Sequence, residues 1–227
     1  MAVGFVQSAN NDAEASAATI AATYDGAVGA GNLLICFVTW GDVEGTPTCS
    51  DSVNGAWTAA GNQLWSTNVN QGLKAFVFPN TAAGTPTVTV SFGAGRAFRG
   101  LVIAEYSGVR QSSPVDVVGE RDDGLAGSGA DNASTAAFTP AVAGQLIVSS
   151  VVDIFDGAPV AAGTNYTERE DATSAPGDNT QNFNICDRID APAGSQQAFF
   201  SIVNAGEYHA LAVVLFPAAT EMRPWIE

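Results

Sequence analysis

The chain contains one histidine, His209, and this limits the catalytic groups that it can assemble. A Ser-His-Asp or Cys-His arrangement needs a histidine to take the proton of its nucleophile, so it would have to use this residue. His209 lies in an apolar run typical of a strand, where a histidine that is exposed or bonded to its neighbours is expected. The sequence contains no Gly-x-Ser-x-Gly, P-loop or dinucleotide-binding motif. We therefore predict no catalytic residues.

Carboxylates are a second source of chemistry, and Glu105 stands out because it interrupts the apolar run LVIAEY. A glycoside hydrolase needs a second carboxylate facing the first, and the sequence places none beside Glu105. We expect Glu105 to face outward or to bond a neighbouring loop. An enzyme that acts on polysaccharides is accordingly the weakest of the functions considered.

Pairs of acidic residues in predicted loops could hold calcium, which takes oxygen ligands. The candidates are Asp42 with Glu44, Asp122 with Asp123, and Asp153 with Asp156. None of these pairs belongs to an EF-hand or a calcium-binding repeat, so solvated loop carboxylates are the expected state. We predict no metal ion and no cofactor.

The three cysteines, Cys36, Cys49 and Cys186, are too widely spaced for a Cys-x-x-Cys zinc motif. Cys36 lies inside an apolar run, where a free thiol packs like a small hydrophobic side chain. A disulfide between Cys49 and Cys186 stays open as an alternative.

Tryptophan side chains at strand ends could stack on sugar rings, as they do in carbohydrate-binding modules. Trp40, Trp57 and Trp65 lie at predicted strand ends or near turns. Sandwich cores use tryptophan as well, and the sequence favours the core over an exposed glycan platform.

The charge of the chain excludes some partners. Its 227 residues carry 23 acidic and 8 basic side chains, a net charge of -15, and Lys74 is the one lysine. Nucleic-acid binding needs a basic surface that displaces phosphate counterions, and anionic membrane surfaces would repel the chain in the same way. The first residues have neither a basic region nor a long apolar segment, so no signal peptide is predicted. We expect synthesis in a cytoplasm and release by another route, such as lysis.

Alternation of apolar residues, with β-branched and aromatic side chains, predicts a series of strands. The clearest candidates are residues 2–7, 18–24, 33–40, 72–78, 85–92 and 101–106. Turn clusters rich in Gly, Asn and Asp separate these segments, and no helix is predicted. The predicted fold class is all-β: a single antiparallel β-sandwich, jelly-roll-like in type.

The second half of the chain repeats the plan of the first. Residues 31–35 (GNLLI) align with residues 144–148 (GQLIV), 113 positions later, and residues 101–106 align with residues 211–216, 110 positions later. This spacing predicts an internal duplication, with pseudo-repeats over about 31–108 and 144–217. We expect one domain over 1–219 in which each half supplies strands to both sheets. A Gly- and Asp-rich exposed loop, 119–134, would join the halves.

A tail, residues 220–227, follows the last predicted strand. Its apolar side chains lie on a segment that the sandwich does not need, and exposed apolar groups of this kind mark interaction sites. The predicted partner-binding residues are Met222, Pro224, Trp225 and Ile226. A disordered chain end is the alternative.

Three segments carry a resemblance to known proteins: residues 31–42 (GNLLICFVTWGD), 79–92 (PNTAAGTPTVTVSF) and 101–109 (LVIAEYSGV). They resemble a broad family of bacterial and phage β-sandwich domains, and the resemblance extends to about residue 217. It implies the sandwich fold more strongly than any function. For a chain that lacks a signal peptide, the resemblance implies the phage setting, as a capsid decoration, cement or fibre-type head protein.

The favoured hypothesis is therefore a structural protein of the virion. Its predicted partners are the major capsid protein and further copies of the chain, as a homo-oligomer around a three-fold or two-fold axis. No nucleic acid and no membrane is expected among its partners. A carbohydrate-binding or adhesive module that uses Trp40, Trp57 or Trp65 is the alternative.

Overall fold

A computed structural model describes residues 2–123, 132–153, 160–173, 182–202 and 207–219. These residues form antiparallel strands joined by turns, and none of them forms a helix that could span a membrane. The strands are β1 (Gly4–Ala13), β2 (Ala17–Thr23), β3 (Leu33–Gly41), β4 (Thr48–Asp51), β5 (Gly55–Ala56), β6 (Thr58–Ser66), β7 (Gln71–Phe78), β8 (Thr87–Arg96), β9 (Arg99–Ser107), β10 (Val115–Asp123), β11 (Asn132–Ser134), β12 (Gln145–Asp153), β13 (Ala161–Ala162), β14 (Thr167–Thr173), β15 (Asn182–Ala191), β16 (Phe199–Ser201) and β17 (Tyr208–Leu215). The predicted all-β class, with antiparallel sheets packed face to face, is confirmed.

The strands form two larger sheets and two smaller ones. The larger sheets have five strands each, in the orders β1-β9-β3-β7-β6 and β10-β17-β12-β15-β14. We call them the first and the second inner sheet. The smaller sheets have the orders β2-β8-β4-β5 and β11-β16-β13, and we call them the first and the second outer sheet.

Each half of the chain builds its own inner and outer sheet. The prediction that both halves contribute strands to both sheets of one sandwich is therefore wrong, because β1 to β9 pair only among themselves in the named sheets, and so do β10 to β17. A bridge between Val109 and Pro217 links the halves at one end. When the strands of each inner sheet are counted in chain order, both sheets have the same spatial order of strands. The duplication itself stays a prediction.

Three apolar cores separate the four sheets. The central core lies between the inner sheets and takes residues from both halves, including Phe37, Val102, Phe183 and Leu211. A second core lies between the sheets of the first half and contains Trp40, Trp57 and Val90. A third core lies between the sheets of the second half and contains Phe138, Phe200 and Tyr208. The molecule is thus a stack of four β-layers.

The layered arrangement explains the uninterrupted apolar runs in the sequence. In β3, Leu33, Ile35 and Phe37 face the central core, whereas Leu34 and Cys36 face the core of the first half. Successive side chains of a strand point to opposite faces, so a strand covered on both faces loses its polar positions. All nine residues of β3 and all nine of β12 are buried.

Most predicted strands are present, with shifted ends. The segment predicted at 2–7 extends to Ala13 in β1, and the segment at 101–106 lies within β9. The exposed loop predicted at 119–134 is wrong for residues 119–123, which belong to β10 and pair with β17. Asn132–Ser134 forms β11, and residues 124–131 lie outside the described part of the chain.

A tight contact between the inner sheets generates a test. A methyl group added to Gly100 on β9 would overlap the ring of Phe183 on β15. Alanine normally stabilises a strand relative to glycine, by about 0.5 kcal/mol. Here we expect Gly100→Ala to lower the free energy of unfolding by about 1–3 kcal/mol, because the buried ring or its neighbours must shift to admit the methyl group. Urea denaturation measures the change.

A double-mutant cycle supplies the control for this substitution. Phe183→Leu alone should cost about 1–2 kcal/mol through the lost ring volume. Combined with Gly100→Ala it should cost less than the two single changes added together, because the smaller side chain leaves room for the methyl group. Additive effects, or a stabilising Gly100→Ala, would contradict the packing of the inner sheets.

Candidate functional site

The tryptophans considered as a glycan platform are mostly internal. Trp40 is 0% exposed and Trp57 is 7% exposed, so neither can offer a ring face to a sugar. The platform alternative is wrong for these two residues. Trp65 is partly buried and stacks on Trp40, with ring centroids 6.1 Å apart. The sandwich core, rather than the surface, uses these rings.

Glu105 is an internal anchor. Its carboxylate is fully buried and accepts hydrogen bonds from Gln7 Nε2 (2.6 Å), Gly29 N (2.7 Å) and Asn32 Nδ2 (2.6 Å). These bonds attach β1 and the turn before β3 to β9. The expectation that Glu105 bonds a neighbouring loop is confirmed, and its oxygens are engaged in holding that loop.

Asp51 plays the same role in the first outer sheet. One of its oxygens accepts bonds from the backbone N–H groups of Val53 and Asn54, at 2.7 and 2.6 Å. The other accepts from Trp57 Nε1 at 2.7 Å. A buried indole N–H without an acceptor costs free energy, so this bond from Trp57 to Asp51 stabilises the buried ring.

Polar contacts join the two halves along both lateral edges of the inner sheets. At one edge Glu170 of β14 accepts bonds from Ser8 Oγ (2.8 Å) and Asn10 Nδ2 (2.7 Å) of β1. At the other edge Glu120 of β10 accepts from Asn62 Nδ2 of β6, at 2.9 Å. These carboxylates fix how the halves align, since a displacement of one strand would break the bonds.

An arginine strengthens the edge formed by β1 and β14. Arg169 makes a bidentate ion pair with the buried Asp187, with nitrogen–oxygen distances of 2.8 and 3.0 Å. The same guanidinium lies 4.5 Å from the ring centroid of Phe5 on β1. The ion pair raises the pKa of Arg169 despite partial burial, so its charge is retained. One side chain therefore orders Asp187 within its own sheet and covers an aromatic ring of the other half.

Buried polar side chains concentrate at one end of the inner sheets. We call it the polar end and define it by Gln71, Asp153, Asn182, Glu207 and His209, each at most 2% exposed. Asp153 lies opposite Asn182 and Tyr208 in the strand ladders, which brings the three side chains to one face. Both side-chain polar atoms of Asn182 and Oε2 of Glu207 lack a hydrogen-bond partner among the described residues. Such groups are costly to bury, so the polar end is the least satisfied part of the described interior.

His209 connects the two halves at the polar end. Its Nε2 lies 3.0 Å from the carbonyl oxygen of Gln71, and its Nδ1 lies 3.2 Å from Asp122 Oδ1. Glu207 is also near, and its own Oε1 accepts a bond from Asn68 Nδ2 at 3.2 Å. Burial lowers the pKa of His209, although Asp122, the bond to Gln71 and Glu207 act in the opposite direction. Because a carbonyl oxygen only accepts, the ring donates from Nε2 to Gln71. The expectation of a histidine bonded to its neighbours is confirmed.

Among the described residues, the acidic pairs considered for calcium are not part of a metal-binding cluster. Asp122 contacts His209, Asp153 is buried at the end of β12, and Asp42 and Glu44 lie in an exposed loop. Asp156 and the side chain of Asp123 lie outside what the structure describes. Within the described ranges, no group of three or more His, Cys, Asp or Glu side chains is placed to hold a metal ion.

Other predicted site residues have mixed outcomes. Met222, Pro224, Trp225 and Ile226 lie outside the described residues. The alternative disulfide between Cys49 and Cys186 is wrong, because these thiols belong to the cores of different halves.

The polar end was not predicted as a unit. Its sequence signal is the presence of Gln71, Asp153 and Asn182 at the ends of largely buried strands.

Comparison with known proteins adds no relatives. No protein family matches the chain, and neither a curated protein nor a solved structure does. The resemblance to bacterial and phage β-sandwich domains therefore stays a prediction.

The Glu105 anchor is testable by a nearly isosteric change. Glu105→Gln replaces one acceptor oxygen by an NH₂ group that faces N–H donors. We expect a loss of about 2–3 kcal/mol of unfolding free energy, since hydrogen bonds to a buried charged group are lost. The matched control is Glu44→Gln in an exposed loop, which should change stability by less than about 0.5 kcal/mol. Equal effects of the two substitutions, measured by urea denaturation, would remove the anchor role.

The His209 contact predicts how stability depends on pH. The folded-state pKa lies below the unfolded value of 6.5, so the unfolded chain binds the additional proton first. The contribution is complete above that value and is lost as pH falls below it. The melting temperature should therefore fall between about pH 7.5 and 5.5 in the unmodified protein, and less steeply in His209→Gln. A melting temperature that rises on acidification would mean that Asp122 and Glu207 outweigh burial.

Proposed function

We propose that this protein is a structural component of a virion surface, a capsid decoration protein that acts through protein–protein contacts. The observation that carries the proposal is the use of its polar groups. Four of the buried side chains that could take part in catalysis, Glu105, Asp51, Asp187 and His209, are engaged in holding strands, loops or the two halves together. These side chains stabilise the stack of four layers, as expected of a structural protein.

The ends of the described chain support a docking geometry. Ala2 and Val3 line a surface depression together with Pro217 and Ala218, and Ala218 N donates to Gly108 O at 2.7 Å. We call this the terminal end; it lies opposite the polar end along the strands. Residues 220–227 follow Ala219 from this end. A stack that docks through this tail would stand on the shell by its terminal end.

The proposed docking segment is the tail, residues 220–227. The other end of the chain is held in place, because Gly4 to Gln7 belong to β1, which pairs with β9. Releasing them would break the first inner sheet and remove the bond from Gln7 to Glu105. The proposed contact residues are therefore Met222, Pro224, Trp225 and Ile226, and the proposed partners are the major capsid protein and neighbouring copies.

Location on particles tests the proposal directly. Virus particles from a lysate of the source culture are separated on a density gradient. They are labelled with a gold-conjugated antibody against the full chain and viewed by electron microscopy. We expect regular gold labelling of particle heads, and recovery of the protein in the particle fraction. Recovery only with free protein or with cell envelopes would overturn the proposal.

A rebinding experiment tests both the docking segment and the carbohydrate-binding alternative. Purified protein lacking residues 220–227 should fold, as its melting curve will show, yet fail to rebind particles stripped of the protein. Trp65→Ala should rebind normally. If the truncated protein rebinds and Trp65→Ala instead loses binding to glycans on an array, the carbohydrate-binding alternative replaces the decoration role.

A further inference from the structure

Two thiols face each other in the core of the first half. Cys36 belongs to β3 of the inner sheet and Cys49 to β4 of the outer sheet, and their sulfur atoms are 3.7 Å apart. Both side chains are buried and both cysteines are free. A disulfide has a sulfur–sulfur distance of about 2.05 Å, so a small closing movement would join them.

The surrounding packing keeps this pair aligned. Cys36 lies between Phe76 and Ile103 in the inner sheet, and Cys49 lies opposite Val90 in the outer sheet. The backbone N–H of Trp57 donates to Cys49 O at 2.9 Å, which fixes the end of the short strand. Interiors are packed to near-crystalline density, which restricts the movement of both thiols.

The third cysteine provides an internal comparison. Cys186 lies in the core of the second half, opposite Ser149 on β12. No other thiol of the chain belongs to that core. Cys186 is as buried as Cys36, so it separates the effect of proximity from that of burial.

We propose that Cys36 and Cys49 are a modification site: they form a disulfide between the inner and outer sheets when the chain meets a disulfide oxidant, such as glutathione disulfide or a thiol–disulfide oxidoreductase. The bond would join the two layers of the first half. The proposal does not depend on the proposed virion role, because it concerns one core of the protein alone.

The reaction is an ordinary two-step exchange. The thiolate of Cys49 attacks one sulfur of the oxidant, forms a mixed disulfide and releases the first thiol of the oxidant. The thiolate of Cys36 then attacks the Cys49 sulfur and releases the second thiol. The two cysteines lose two electrons and the oxidant gains them, while the two thiol protons end on the released thiols.

Burial sets the timing of this exchange. Burial, together with the hydrogen bond and charge of Cys49, raises the pKa of the Cys36 thiol well above its ordinary value. Little thiolate is therefore present in the folded chain, and exchange should be slow once the core has closed. The redox state of the pair is then set while the chain folds, and burial afterwards protects the bond from reductants.

The test refolds the full chain in a buffer of reduced and oxidised glutathione, with a parallel sample in excess reductant. Free thiols are alkylated, and the products are mapped by mass spectrometry. We expect a Cys36–Cys49 linked peptide pair, an alkylated Cys186, and a chain that has lost two hydrogen atoms. The linked form should melt roughly 5–10 °C higher than the reduced form, and added reductant under unfolding conditions should remove the difference.

Two variants complete the experiment. Cys186→Ala should still form the bond and show the same rise in melting temperature. Cys49→Ala should show neither, and if it does not fold, the peptide map of the unmodified protein decides alone. Alkylation of both Cys36 and Cys49 after oxidative refolding, a stable glutathione adduct, or links that involve Cys186 would each overturn the proposal.

Discussion

The need to cover the inner face of each five-stranded sheet governs this structure. Each half can bury one face of its inner sheet with its own outer sheet, but the other face carries residues such as Phe37, Val102 and Leu211. Exposing those side chains to water would cost about 25 cal/mol for each Å² of apolar surface. The two inner faces are both apolar, so covering one with the other solves both problems. The central core, the edge contacts and the polar end all follow from that packing.

Packing of two apolar faces determines where polar groups can lie. The centre of the interface excludes water, so polar and charged side chains are confined to its edges and ends. Glu120 and Glu170 occupy the two lateral edges, and His209 occupies the polar end. The acidic composition thus has an internal role as well as a surface one, because carboxylates accept bonds from the amide and hydroxyl donors of the facing strands.

The sequence predicts the strands well and their partners poorly. Alternation identifies β8, and continuous apolar runs identify β3 and β9, because both patterns depend only on neighbouring residues. It does not state which sheet covers a face, and so the four layers were not predicted. The polar end joins His209 to Gln71 across 138 positions of sequence, a contact with no local signal. Trp40 was equally ambiguous, since a tryptophan at a strand end can belong to a core or to a platform until the covering layer is known.

The two outer cores share one plan but not one composition. The core of the first half contains two tryptophans, Trp40 and Trp57, whereas the core of the second half combines smaller rings such as Phe200 with several alanines, including Ala198 and Ala210. Large aromatic side chains bury more surface, so the first half should contribute more to stability. The unpaired atoms of Asn182 and Glu207 add cost to the second half. Local unfolding in denaturant should therefore start in the second half, at the polar end, while the first inner sheet stays folded.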